Sequence, residues 1–247
     1  MNAAITAGGR VGGELASQIG SEVKALARVR GITLLDAAID AARLAGAARI
    51  SVIGGDEVRR HCASRVDAVV AEAPDGRDNL RLAIESGATE PLLLLSSDLP
   101  FVTGAPVAEF VERARAARVE LALPLARGSD YEHAFPGAPP HLTRLGDERV
   151  ANGSVVYFAA GVAPKVLSVS QQFFDARKSL LRMAVLLGPG LLLRFAARRL
   201  RIEHLEARAQ RVLGIRAGAI RDASPSLCFD IDTIDDYRYA LAYQTSG

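Results

Sequence analysis

The chain of 247 residues contains no Trp, and Phe and Tyr together make up only 5% of it. Its core must therefore be assembled from many small aliphatic contacts. Cysteine is scarce. Cys62 and Cys228 cannot make a disulfide scaffold or, by themselves, a zinc cluster, and both are expected to be free thiols in a reducing compartment. No charge of one sign dominates: 30 Lys and Arg face 28 Asp and Glu, for a formal net charge of +2. Such a balance supplies no global field for nucleic acid, and no nucleic-acid partner is expected. Long apolar runs are missing as well. The opening MNAAITAGGR has no basic residue before Arg10 and no stretch that reads as a signal peptide. The run from Met183 to Leu193 is broken by Gly188, Pro189 and Gly190 and falls far short of a membrane span. The expectation is a cytoplasmic protein. At 49% hydrophobic and 23% charged, the composition is that of an ordinary core-forming chain, which excludes disorder and collagen-like repeats.

What is present is an alternation of short strands and helices. Residues 2–6 read as a buried strand entering the turn Ala7-Gly8-Gly9, followed by a polar, glycine-bearing stretch to Val23. The spacing of Leu34, Leu35, Ala38, Ile39 and Ala42 predicts a helix over 33–44. Strands are expected at 48–55, 67–73, 91–100 and 119–125, with helices at 57–63, 79–85 and 106–117 between them. The leucine run at 91–100 is of the kind buried on both faces of a parallel sheet. This rhythm predicts an α/β sheet built from crossover units. Residues 127–141 read as loop, with short strands near 141–144 and 154–158. From Val169 to Leu213 the pattern is helical, strands return at 215–221 and 227–232, and a helix closes the chain at 234–243. The helical block is thus an insertion, placed at 165–213, within a single domain spanning 1–247.

Three constellations could carry chemistry. Gly8 and Gly9 follow the first strand, so their backbone N–H groups could approach a phosphate, with Arg10 and Lys24 to neutralise it; a plain strand-to-loop turn with surface bases is the other reading. Asp98 stands at the carboxyl end of the leucine strand, where α/β sheets bind ligands, and supplies the hard oxygen that Mg2+ prefers. Its alternative is a turn anchor, since it lies too far before Thr103 for a simple cap. In a strand at 227–232, Asp230 and Asp232 project from one face and could share a cation. Thr233 reads as a helix cap, and Asp235 and Asp236 as solvated charge in the first turn. The four histidines are scattered: His61 and His204 fall in helices, while His133 and His141 could touch substrate.

In this order the pieces resemble the MobA-like NTP transferases, nucleotidyltransferases with a glycosyltransferase-A-like fold, in a subgroup with a C-terminal helical insertion. The motifs concerned are Ala7-Gly8-Gly9-Arg10, Lys24-Ala25-Leu26, Gly31-Ile32-Thr33-Leu34-Leu35, Asp98-Leu99-Pro100 and Asp230-Ile231-Asp232. The resemblance implies a three-layer α/β/α arrangement around a mixed, mostly parallel sheet. It implies Mg2+-dependent transfer of an NMP from an NTP to a phosphorylated or similar small acceptor, with release of pyrophosphate. Arg10, Lys24 and Asp98 would be catalytic, and Asp98, Asp230 and Asp232 would hold the metal. Ala7, Gly8 and Gly9 would line the nucleotide site, with Gly76 and Asn79 bordering the base and Gly153 on the acceptor side.

Two alternatives remain. A glycosyltransferase using a nucleotide-sugar would need an Asp-x-Asp in mid-chain, where Ser97-Asp98 offers one acid. The unusual segment 11–23 would also suit a non-catalytic nucleotide-binding module. Within the insertion, basic residues recur from 178 to 211 beside apolar ones. Such a segment is a packed helix pair with a solvated basic face, a membrane-surface contact, or a cover for an acceptor with an apolar tail.

Overall fold

The computed structural model describes residues 1–243 apart from 88, 140, 168 and 170–187. The chain opens with β1 (Asn2–Thr6), α1 (Gly13–Ile19) and a small separate ribbon of β2 (Arg28–Val29) and β3 (Ile32–Thr33). Helices and strands then alternate through α2 (Leu34–Leu44), β4 (Arg49–Gly54), α3 (Asp56–Cys62), β5 (Ala68–Ala71) and α4 (Gly76–Glu85) to β6 (Leu92–Ser96) and α5 (Gly104–Ala116). β1 lies between β4 and β6 and pairs with both in parallel, and β5 adds in parallel to β4.

Beyond β6 the sheet becomes mixed. β7 (Leu121–Arg127) is followed by α6 (Gly128–Ala134), β8 (Thr143–Leu145), β9 (Glu148–Asn152) and β10 (Val155–Phe158). β10 pairs antiparallel with both β6 and β7, and β9 pairs antiparallel with β7 and β8. After the helical block, of which α7 (Pro189–Ala196) and α8 (Ile202–Leu213) are described, β11 (Ala217–Arg221) returns in parallel to the other edge of β7. Among the described residues, only β9 and β10 run against the rest of the nine-stranded sheet, so it is mixed and mostly parallel, as the resemblance implies. α9 (Ile234–Ala242) closes the described chain, capped by Thr233 and Asp236 in reciprocal hydrogen bonds.

The two-residue period of the strands divides the core into two layers. Leu93 and Leu95 of β6 pack on one face with residues of α2 and α5, while Leu92 and Leu94 face α4 on the other. Each such leucine contributes about 1.5–3 kcal/mol by leaving water, which is why an uninterrupted leucine strand is tolerated here and nowhere on the surface.

Three expectations are corrected. The stretch before Val23 contains α1, and the presumed loop 127–141 contains α6, whose Tyr131 and following Phe135 are buried in the aromatic cluster described below. The predicted strand at 227–232 has no ladder partner; it is a short 3-10 turn (Pro225–Leu227) followed by an unpaired segment. That segment still alternates, with Phe229 and Ile231 fully buried and Asp230 and Asp232 facing outward. Of the helical block, residues 170–187, including the basic positions 178 and 182, lie outside the described residues.

Candidate active site

Parallel strands collect their carboxyl ends at one edge, and ligands bind there. Beyond the ends of β1, β5 and β6 lies a cleft of about 900 Å3, lined by Gly8, Gly9, Arg10, Lys24, Glu72, Gly76, Asn79, Ser96, Ser97, Asp98 and Ser154. Its floor is the glycine turn after β1. A Cβ on Gly8 would come within 2.5 Å of Glu72 Oε2, so a side chain here would have to displace the Glu72 carboxylate. Ala7 does not line the cleft: its N–H donates to the Ile53 carbonyl at 2.8 Å and its side chain is buried.

Lys24 reaches the cleft because the intervening excursion is pinched at its neck. Arg10 and Val23 form an antiparallel bridge, Val11 N–H donates to Glu22 at 2.8 Å, and Lys24 N–H donates to Gly9 at 3.0 Å. The Lys24 ammonium then lies 2.7 Å from Asp98 Oδ2, 3.4 Å from Asp232 Oδ1 and 2.6 Å from the Ile231 carbonyl. Burial would lower its pKa, but the Asp98 and Asp232 carboxylates outweigh that and hold it above the usual lysine value.

Asp98 stands two residues past the end of β6, and the intervening Ser97 N–H still donates to Thr6 at 3.1 Å. Its carbonyl accepts from Ile231 N–H at 3.0 Å, which stitches the unpaired segment 228–233 to the end of β6. Asp98, Asp230 and Asp232 thereby each offer one oxygen, all within 4.8 Å of one another. Asp98 Oδ1 is buried and has no hydrogen-bond partner among the described residues. Asp230 accepts from Ser154 Oγ at 3.0 Å and lies 3.6 Å from His141 Nδ1. Burial and the neighbouring Asp98 and Asp232 push its carboxyl above the usual aspartate value, against the opposing pull of Ser154 and His141. An all-oxygen, crowded and incompletely satisfied set of this kind fits a hard divalent cation.

Behind the carboxylates, His141 Nε2 lies 2.8 Å from Asp236 Oδ1. Asp236 is not the solvated charge expected from sequence. It is 1% exposed and accepts from Thr233 N–H at 2.7 Å and Asp232 N–H at 3.1 Å, so it fixes the end of the segment that carries Asp230 and Asp232. The few aromatics gather here too. Phe229 packs against Phe101, Phe135 and Tyr239 with ring centroids 5.1–5.5 Å apart, which anchors the residue preceding Asp230.

The remaining expected residues have different surroundings. Asn79 turns its carboxamide onto Ala73, accepting from its N–H at 2.6 Å and donating to its carbonyl at 3.0 Å, so it shapes the loop over the cleft. Gly76 opens α4 behind the Asp75 cap. Gly153 lies outside the cleft lining, packed so tightly that a Cβ would come within 2.5 Å of both the Leu227 carbonyl and Pro124. Arg10 forms an ion pair with Glu72, whose second oxygen is buried with no partner among the described residues. His133 lies in α6. Sequence reasoning missed Glu72, Ser154 and the bridging role of His141. Glu72 alone had a usable signal, as an acid just past the carboxyl end of a parallel strand.

Residues 3–210 match the MobA-like NTP transferase domain. Among solved structures, a hypothetical transferase from Thermus thermophilus is 25% identical, with 96% of this chain and 99% of that chain covered and a TM-score of 0.82. A 2-C-methyl-D-erythritol 4-phosphate cytidylyltransferase, also from Thermus thermophilus, is 18% identical, covers 98% and 97%, and has a TM-score of 0.55. The manganese complex of Rv0371C from Mycobacterium tuberculosis is 19% identical, covers 98% of each chain, and has a TM-score of 0.52. These last two likenesses bear on the fold alone. No curated protein matches the sequence. No helix among the described residues is long and apolar enough to cross a membrane. With the family matched over most of its length and the family's fold in place, the chain belongs to the MobA-like NTP transferase domain family and is an enzyme of the nucleotidyltransferase type.

Proposed function

We propose that the chain is a cytoplasmic, Mg2+-dependent enzyme that transfers an NMP from an NTP to a phosphorylated or similar small acceptor, working as one domain over 1–247. The observation that carries this reading is the grouping of Asp98, Asp230 and Asp232 within 4.8 Å, beside Lys24 at the mouth of the cleft. An acceptor oxyanion attacks the α-phosphorus and a new P–O bond forms. The bond from that phosphorus to the α–β bridging oxygen breaks, and pyrophosphate leaves with the electron pair. Asp98, Asp230 and Asp232 would hold Mg2+, which when bound supplies charge neutralisation across the phosphates. Gly8 and Gly9 leave room for phosphate against the backbone, and Lys24 and Arg10 offset the charge that develops on it. Ser154 and His141 keep Asp230 oriented. No side-chain nucleophile is required, because positioning and electrostatics supply the catalysis.

A thermal-shift screen of the four NTPs, with and without millimolar Mg2+, tests this reading. At least one NTP is expected to raise the midpoint only when Mg2+ is present. Failure of every NTP to do so would leave the reading without its substrate.

A further inference from the structure

The segment between β10 and β11 carries a surface for which nucleotidyl transfer has no use. At about 100° per residue, Leu191, Leu192, Leu193, Phe195 and Ala196 of α7 occupy one continuous arc, with Arg194 on the opposite side. This arc is not buried: Leu192 is 38%, Leu193 70% and Phe195 62% exposed. The basic residues follow at once. Arg194, Arg198, Arg199, Arg201 and His204 line a cleft of about 500 Å3 to which Asp147 is the one acidic contributor. Arg194 lies against His204 Nε2 at 3.1 Å, and Arg198 and Arg199 form no ion pair among the described residues. Leu200 and Ile202 are buried immediately beyond and anchor the surface to the body of the protein.

Exposed leucine and phenylalanine beside arginines that form no ion pair among the described residues, with Asp147 the one acid in their cleft, is the chemistry of a segment that lies in a membrane interface. We propose that this face docks on an anionic lipid bilayer, with headgroup phosphates in the arginine cleft and Leu192, Leu193 and Phe195 at the acyl boundary. Charge complementarity selects that occupant: a second copy would bring its own arginines against these, whereas an acidic surface neutralises them. The inference does not depend on the proposed reaction.

Co-sedimentation of the full chain with vesicles of phosphatidylcholine plus phosphatidylglycerol, and with phosphatidylcholine alone, tests it. Binding is expected to the anionic vesicles, to weaken with salt, and to be marginal on the neutral ones. Arg198→Glu with Arg199→Glu should weaken binding more than about tenfold, and Leu193→Ser with Phe195→Ser should weaken it too. Because all four side chains are exposed, thermal midpoints should not move. No binding to anionic vesicles overturns the proposal, as does equal binding by wild type and both variants. Light scattering that shows a dimer lost in the Leu193→Ser, Phe195→Ser variant, with vesicle binding unchanged, overturns it in favour of self-association.

Discussion

The ammonium of Lys24 and the carboxylate of Asp98 lie 2.7 Å apart, one from the excursion after β1 and the other from the end of β6. Both side chains are largely buried, at 15% and 13% exposure, so neither charge is well screened by water. If Lys24 serves the phosphates while Asp98 serves the metal, their loss should separate. Lys24→Met is expected to reduce kcat about 10²–10³-fold while leaving Mg2+ binding in place. Asp98→Asn should remove both, and calorimetric Mg2+ titration of the two variants distinguishes them.

Asp230 and Asp232 are unequal partners. Asp230 is held by Ser154 at 3.0 Å, whereas Asp232 is 65% exposed. Asp230→Asn is therefore expected to raise the Mg2+ requirement more than Asp232→Asn does. Ser154→Ala, which leaves the ligand in place but removes its orienting donor, should weaken Mg2+ about tenfold. The activity of each variant against Mg2+ concentration checks this order, and equal effects would make Asp232 as important as Asp230.

Gly153 is a packing position, and its substitution should be felt in stability. Gly153→Ala forces a Cβ against the Leu227 carbonyl, which is backbone and cannot step aside cheaply. A loss of about 1–3 kcal/mol is expected, read as a lower urea midpoint. Gly76→Ala meets nothing within 4 Å and should leave the midpoint unchanged or slightly higher.

Asp36 should make the fold acid-sensitive. Burial would raise its pKa, but Thr33 Oγ1 at 2.6 Å, His61 Nε2 at 3.0 Å and the Arg65 guanidinium hold it below the ordinary value. A carboxyl depressed in the folded state contributes stability above its unfolded pKa of about 3.9. That contribution is lost as pH falls through the lower folded value. Asp36→Asn is expected to lower the urea midpoint near neutrality and to flatten its decline in acid. An unchanged acid limb would show that other carboxylates govern it.

The parallel half of the sheet was legible because its strands are short apolar runs between helices of clear periodicity, as in the leucines of β6 and the buried face of α2. α1 was hidden because it buries only Leu15 and is flanked by Gly12, Gly13 and Gly20, which read as loop. α6 was hidden by Gly128 and Pro136; it is held by burial of Tyr131 and Phe135, a tertiary effect that no local pattern carries. At the site, the shared side of Asp230 and Asp232 was expected for an incomplete reason. Alternation places them on one side, as a strand would, but a backbone hydrogen bond from Ile231 to Asp98 replaces the ladder. The bridging His141 and the donor Ser154 act only through residues distant in sequence, so composition and spacing could not single them out.

The central claim, catalysis through a metal held at Asp98, is tested most directly by measuring pyrophosphate release from each NTP in the presence of phosphorylated acceptors. The wild-type chain should release pyrophosphate only with Mg2+, and Asp98→Ala should lower that rate at least about 10³-fold. Turnover that survives Asp98→Ala, or that proceeds equally well without Mg2+, would contradict the account.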